Sequence, residues 1–375
     1  MPLRGEAAKP TYQIIRRLAG GGAADDVYLA HHNVFQGPCV QKCVHVHGLE
    51  DALASNEPAF LDLLRHAHIV EVREAQWDPE QDGAIIFVMR AYEGGSVEEA
   101  LTADYRFSVH QAIDLTIHVL SALAYVYQTH KAIHRDVKPG NVLMDKERKN
   151  AYLSDFGSAA TVNANGEAAA VLGTDHYRPP EAKSTGSVGR ASDLFGLGMT
   201  LFEMLNGRLP WETHDFAKVE ERLQAGRRAL SDSVLSTYAP HVPNRVRRLV
   251  NKAIARNSNG RFSSPEEFIR ALKKARLQSI DWEHVDGEGL LGTWLGTWPA
   301  KRPVDKRTTY RVTSRVLKAG LERGNLRLEA DYCETEKTSW REAIKDVTVA
   351  VDDPVGVAEF FSRVDNKAAQ REPAR

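Results

Sequence analysis

Cysteine is scarce in this chain: Cys39, Cys43 and Cys333 are the only three in 375 residues. So few thiols cannot build a disulfide framework, and the expectation is an intracellular, cytoplasmic protein. Cys39 and Cys43 flank Lys42 on a strand-patterned segment, where small apolar packing is the expected role. No apolar run approaches the roughly 20 residues of a membrane span, so none is expected. Residues 1–10 lack the apolar core of a secretory signal. An excess of either charge is missing too: 49 Lys and Arg face 50 Asp and Glu, a formal net charge of -1. No global field draws the chain to nucleic acid or to an anionic membrane, and no nucleic-acid partner is expected. What remains, 42% apolar and 26% charged residues, is the composition of a soluble globular protein. The length allows two or three domains.

The densest chemistry lies in His134-Arg135-Asp136-Val137-Lys138-Pro139-Gly140-Asn141. One short loop holds a carboxylate, an ammonium and an amide. Phosphoryl transfer uses that set as acceptor for a hydroxyl proton, cation for the migrating charge and oxygen ligand for magnesium. A second carboxylate follows in Asp155-Phe156-Gly157. Upstream, Gly20-Gly21-Gly22 separates strand-patterned segments at Tyr12–Leu18 and Val27–His31. Glycines let backbone N–H groups approach phosphate oxygens closely. Val40-Gln41-Lys42 and Ala84–Met89 read as further strands. Ser108–His130 carries Ala112, Leu115, Val119, Leu123 and Val126 at helical spacing behind a Ser cap.

In this order the motifs resemble the eukaryotic-like (Hanks-type) Ser/Thr protein kinases of bacteria, over about residues 11–279. The resemblance implies an α+β, bilobal protein-kinase fold, with an N-lobe at 11–92 and a C-lobe at 93–279 behind an extension at 1–10. It implies ATP and Mg2+ as nucleotide and metal. Gly20, Gly21 and Gly22 would cradle the phosphates, and Val27, Val40 and Leu143 would enclose the adenine. Met89 would be the gatekeeper, and Ala91 would offer hinge backbone. Lys42 would grip the first two phosphates, held by Glu57, with Glu50 as fallback. Asp136 would be the base, Lys138 would neutralise the moving phosphoryl, and Thr174 would bond both. Asn141 and Asp155 would hold magnesium.

Lys138, two residues after Asp136, and the segment Gly173–Glu181 imply a protein substrate with a Ser or Thr acceptor. Glu181 is expected to pair with Arg261, Asp193 to cap the central buried helix and hold the catalytic loop, and His134 to be a satisfied core residue. Two departures from the pattern stand out. Asp25 occupies the third glycine position, so modest ATP affinity is expected, and Pro58 interrupts or starts the C helix. The activation segment lacks the usual threonines, with Gly166 and Ala168 at those positions. Glu167 between them is expected to pair with Arg135 as a fixed negative charge, or else to be a solvated loop residue. Ser158 and Thr161 are the candidate autophosphorylation sites. A nucleotide-binding pseudokinase scaffold is the competing class. A small-molecule kinase fits less well, because it has no use for a peptide-docking segment.

Residues 282–365 carry no kinase motif. Strand alternation at Gly292–Trp298, Thr309–Leu317, Leu326–Tyr332 and Asp346–Val351 predicts a small β-rich accessory domain. A short amphipathic helix is expected at Pro354–Val364 and a disordered tail at 366–375. The two Gly-Thr-Trp repeats are expected in the core, or else lining a groove for a partner or ligand of this domain.

Overall fold

The computed structural model describes residues 11–19, 25–34, 36–45, 63–77, 84–170, 175–287, 290–299, 308–334 and 339–371. At the N-terminal end, β1 (Tyr12–Ala19), β2 (Asp25–His32), β3 (Gly37–His45), β4 (Val72–Trp77) and β5 (Ala84–Arg90) form one antiparallel sheet, ordered β1-β2-β3-β5-β4. Register decides what this sheet presents. Val27 lies opposite Lys42, and Val40 lies opposite Met89. Residues opposite one another share a face, as do residues two apart on one strand. Val27, Val40, Lys42 and Met89 therefore stand on the same side.

The second lobe is built on two buried helices. Val109–His130 starts at Ser108, whose hydroxyl accepts the Gln111 N–H at 3.1 Å, and ends at Lys131 in the left-handed region. Among the described residues it is the one helix long and apolar enough to cross a membrane, and most of it is buried in the core. Arg190–Asn206 is buried along most of its length, as a helix apolar on all sides must be. Between them run three short ladders: β6 (Ala132–Ile133) with β9 (Ala160–Thr161), β7 (Val142–Met144) with β8 (Ala151–Leu153), and β10 (Glu167–Ala169) with β11 (Ser187–Gly189). Helices Asn244–Ala253 and Pro265–Arg276 complete the lobe.

Beyond Ile280 the chain forms a five-stranded antiparallel meander: β12 (Asp281–Asp286), β13 (Gly292–Thr297), β14 (Thr308–Val316), β15 (Leu326–Glu334) and β16 (Arg341–Val349). Helix Pro354–Arg371 packs on the sheet. Trp282, Trp294, Trp298, Tyr310, Phe360 and Phe361 are buried together between them. The Gly-Thr-Trp tryptophans are thus core and line no groove. Three expectations need correction. β12 was not foreseen, because its alternation is diluted by Glu283, Val285 and Asp286. β16 starts at Arg341, ahead of Asp346, because charged side chains mask its period. The helix continues through 366–371, expected as tail: Ala368 extends the stripe of Val357, Phe361 and Val364, and Arg371 stacks 3.6 Å over the Tyr332 ring.

This domain is seated on the C-lobe. The Asp281 carboxylate accepts the His110 N–H at 2.8 Å, in the first turn of the Val109–His130 helix, where an anion is favoured. His110 Nε2–H donates to the Ser279 carbonyl at 3.1 Å. Asp365 is buried beneath this seam. Its Oδ1 accepts the Ile280 N–H and the Trp282 indole N–H, each at 3.3 Å. Burial pushes the Asp365 carboxyl up to about 7, although those two donors and Arg245 pull it down. A carboxyl raised on folding binds its proton more tightly in the folded state. Its contribution to stability is therefore full at acid pH and is lost as pH rises through about 7. Asp365→Asn keeps an acceptor and removes the charge. Its thermal midpoint, relative to wild type, is expected to be higher at pH 8 than at pH 5; an equal difference at both would contradict the linkage.

Candidate active site

The loop from His134 to Asn141 is shaped by one carboxylate from below. Asp193 is 2% exposed. Its oxygens accept the backbone N–H groups of His134 and Arg135 and the Tyr127 hydroxyl, all at 2.8 Å. Burial raises the Asp193 carboxyl, opposed by His134 and by these donors. Contrary to the expectation from sequence, Asp193 does not cap its own helix, although it does hold the loop. It lies in the first turn, and the N-cap Gly189 donates its N–H to Ser192 Oγ at 3.1 Å instead. Gly196, one turn on, lets the loop descend this far. A Cβ there would stand 2.3 Å from the Val137 carbonyl oxygen. Arg135 takes a left-handed φ of 69°, which costs a side-chain-bearing residue about 1–2 kcal/mol. The bond to Asp193 holds it there.

The candidate functional side chains face one another on this platform. Asp136 Oδ2 lies 2.8 Å from Lys138 Nζ and accepts from Asn141 Nδ2 at 3.1 Å. Asn141 Nδ2 also donates to the Asp136 carbonyl at 2.7 Å, which turns its amide oxygen the other way. The Asn141 carbonyl accepts the Ser154 N–H at 2.9 Å, tying this loop to the next. There Asp155 has a left-handed φ of 60° and receives Lys42 Nζ on Oδ1 at 2.9 Å. Burial alone would raise the Asp155 carboxyl; Lys42, aided by His134 and Lys138, outweighs it and holds the group below the usual carboxylate range. Phe156 is buried edge-on against His134, with ring centroids 4.7 Å apart. His134 is satisfied as expected: Nε2–H donates to the Ser154 carbonyl at 2.9 Å, and Nδ1 accepts the Asp136 N–H at 3.3 Å.

The structure thus brings Lys42, Asp136, Lys138, Asn141 and Asp155 to one cleft. Half-buried Val27, Val40 and Met89 stand on the Lys42 face of the sheet, and half-buried Leu143 lies on β7. Ala91 follows β5, and among the described residues its backbone N–H and carbonyl have no hydrogen-bond partner. Gly20, Gly21, Gly22, Glu50, Glu57, Pro58 and Thr174 lie outside the described residues. Asn141 and Asp155 present hard oxygen donors of the kind magnesium takes, one carboxylate and one amide oxygen. Among the described residues no group of three or more His, Cys, Asp or Glu could hold a metal without help. That donor set fits a cation that arrives with phosphate oxygens.

A second expectation fails in the first of its two forms. Glu167 does not pair with Arg135. Glu167 is exposed on β10, where it accepts the Ser187 hydroxyl at 3.3 Å. The Arg135 guanidinium instead faces backbone carbonyls. Sequence reasoning also missed Tyr127 and Glu203. Buried Glu203 accepts from the Tyr177 hydroxyl at 2.7 Å and from the Trp211 indole and the Leu209 N–H, both at 3.0 Å. This network fixes the end of the activation segment on the Arg190–Asn206 helix. No local pattern marks either residue; both read as ordinary helix positions.

The Glu181–Arg261 pair is as expected. Arg261 NH1 and NH2 reach Glu181 Oε1 and Oε2 at 2.6 and 2.7 Å, and the same guanidinium donates to the Ala191 carbonyl at 2.9 Å. Removing one partner of such a buried pair leaves an uncompensated charge, at a cost of about 3–5 kcal/mol. Arg261→Leu is expected to lower unfolding stability by that amount in urea titration, and Glu181→Leu added to it to recover part of the loss. A single-variant loss below about 1 kcal/mol, the scale of exposed pairs, would contradict the staple.

Residues 12–273 match a family model described as "Protein kinase domain". The chain is 29% identical over 280 residues to the serine/threonine-protein kinase PrkC of Bacillus subtilis (strain 168), covering 73% of this chain and 42% of that protein. It is 31% identical over 274 residues to the serine/threonine-protein kinase PksC of Streptomyces coelicolor, covering 68% of this chain and 47% of PksC. It is 26% identical over 283 residues to the serine/threonine-protein kinase ULK3 of Homo sapiens, covering 74% of this chain and 57% of ULK3. The chain thus spans about half the length of these relatives.

Proposed function

Because this chain belongs to the protein kinase domain family, we propose that it is a serine/threonine protein kinase, moving the terminal phosphoryl of ATP onto a Ser or Thr hydroxyl of a protein substrate. The observation that carries the reading is the convergence of two units. One is the Asp136–Lys138–Asn141 cluster, closed by contacts of 2.8 and 3.1 Å; the other is the Lys42–Asp155 pair at 2.9 Å. The relatives, all named serine/threonine-protein kinases, support the acceptor class. We further propose a cytoplasmic location, on cysteine usage, and a partner or ligand for the accessory domain.

In this reading Ala91 offers its backbone groups to the adenine edge, and Val27, Val40 and Leu143 close over the ring. Lys42 would grip the first two phosphates. Asn141 and Asp155 would hold magnesium, which would supply positive charge to neutralise the phosphates. Asp136 accepts a hydrogen bond from the incoming hydroxyl and aims its oxygen at the terminal phosphorus. As the new O–P bond forms, the bond to the bridging oxygen breaks and ADP leaves with that electron pair. The hydroxyl proton passes to Asp136. Lys138, already beside Asp136, places a positive charge next to the transferring group, where preorganised charge is most effective.

Asp136→Asn keeps the shape and removes the acceptor charge. It is expected to lower phosphoryl transfer from labelled ATP by about 10²–10⁴-fold, the range of a lost general base, with nucleotide affinity little changed. Transfer at the wild-type rate would overturn the assignment. A wild-type chain that binds nucleotide and never transfers phosphoryl would establish the scaffold class instead.

A further inference from the structure

Each guanidinium nitrogen of the arginine beside the catalytic aspartate donates to a backbone carbonyl. Arg135 Nε donates to the Ser158 carbonyl, NH1 to the Ala169 carbonyl at 2.8 Å and NH2 to the Ala159 carbonyl at 3.4 Å. No carboxylate forms an ion pair with it among the described residues. Burial lowers the guanidinium, and Asp193 opposes this only in part. The three carbonyls come from both limbs of the activation segment. Ser158 and Ala159 follow the magnesium loop, and Ala169 lies on β10. One guanidinium fork therefore clamps the start and the middle of the segment to the catalytic loop.

The segment from Ala160 to Ala170 is secured by main chain as well. β9 pairs with β6, directly before the catalytic loop, and Val162 N–H reaches the Lys131 carbonyl at 2.8 Å. β10 pairs with β11, and Ala170 N–H reaches the Gly186 carbonyl at 2.9 Å. The turn between them is closed by Asn163, whose Oδ1 accepts the Asn165 and Glu167 N–H groups at 2.9 and 3.1 Å. From residue 162 to residue 173 the chain carries no Ser, Thr or Tyr. The stretch facing Arg135 there is Ala168-Ala169-Ala170, which offers no hydroxyl for a phosphate.

We propose that Arg135 is a positioning residue that holds the activation segment through backbone carbonyls, so that transfer to a protein substrate needs no phosphate on that segment. The proposal rests on the kinase reading above. The carbonyls take the place an introduced anion would fill, and they are present in every copy of the chain. Arg135 then acts on the protein substrate, through the segment that would dock it.

The test uses the full chain, with myelin basic protein as acceptor and labelled ATP with magnesium. The enzyme is assayed as prepared, after exhaustive phosphatase treatment verified by intact mass, and as a Ser158→Ala/Thr161→Ala double variant. Rates within about twofold of one another support the proposal. A loss of tenfold or more on phosphatase treatment, restored by preincubation with ATP and magnesium, overturns it while leaving the kinase reading intact. No transfer by the enzyme as prepared removes both. Arg135→Gln and Arg135→Lys provide the second readout. Both are expected to raise KM for the protein acceptor several-fold with KM for ATP unchanged, Lys less than Gln. An equal fall in kcat with neither KM changed would overturn the positioning role.

Discussion

A buried carboxylate with more donors than its own charge requires is the constraint on which this molecule depends. Asp193 sits on the central helix and takes two consecutive backbone N–H groups of the catalytic loop. A buried, isolated carboxylate costs several kcal/mol, and three hydrogen-bond donors offset that cost only while the loop keeps this shape. The same two bonds hold Arg135 in its left-handed conformation, and from there Asp136, Lys138 and Asn141 follow in one turn of chain. Gly196 allows the approach by having no side chain. Replace either the acid or the glycine and the active groups lose their common origin.

Everything nearer the substrate is referred to that platform. Asn141 carries its position forward through Ser154 to Asp155, and Asp155 carries it across the cleft to Lys42 on β3. The activation segment is referred to it through Arg135, and the segment's end through Tyr177 and Glu203. The accessory sheet joins at the far end of the Val109–His130 helix, where the Asp281 carboxylate accepts the His110 N–H of the first turn. That same helix holds Tyr127, a ligand of Asp193, near its other end. One rigid helix thus spans from the domain seam to the floor of the active site.

Much of this was legible in the sequence, for a physical reason. His134–Asn141 and Asp155–Gly157 stood out because a carboxylate, an ammonium and an amide fall in one short loop with a second carboxylate close behind, and the structure brings these groups together. Glu181 and Arg261 were legible as a pair because a buried charge demands a partner. Asp193 was legible as important and misread in detail: an acid in a first turn can bond its own helix or a neighbouring loop, and sequence does not separate the two. Arg135 was misread because its partners are carbonyls, which every residue carries and no side chain announces. β12, β16 and the end of the last helix were obscured by charged residues that share their periods with apolar ones.

The claim at the centre is that Asp136, Asn141, Asp155 and Lys42 serve one metal-bound triphosphate. A crystal structure of the chain with magnesium and a non-hydrolysable ATP analogue tests it directly. The account expects a magnesium ion about 2.1 Å from an Asp155 oxygen and the Asn141 amide oxygen, with Lys42 on the phosphates. A nucleotide bound elsewhere, or in the cleft with its metal away from both residues, would contradict it.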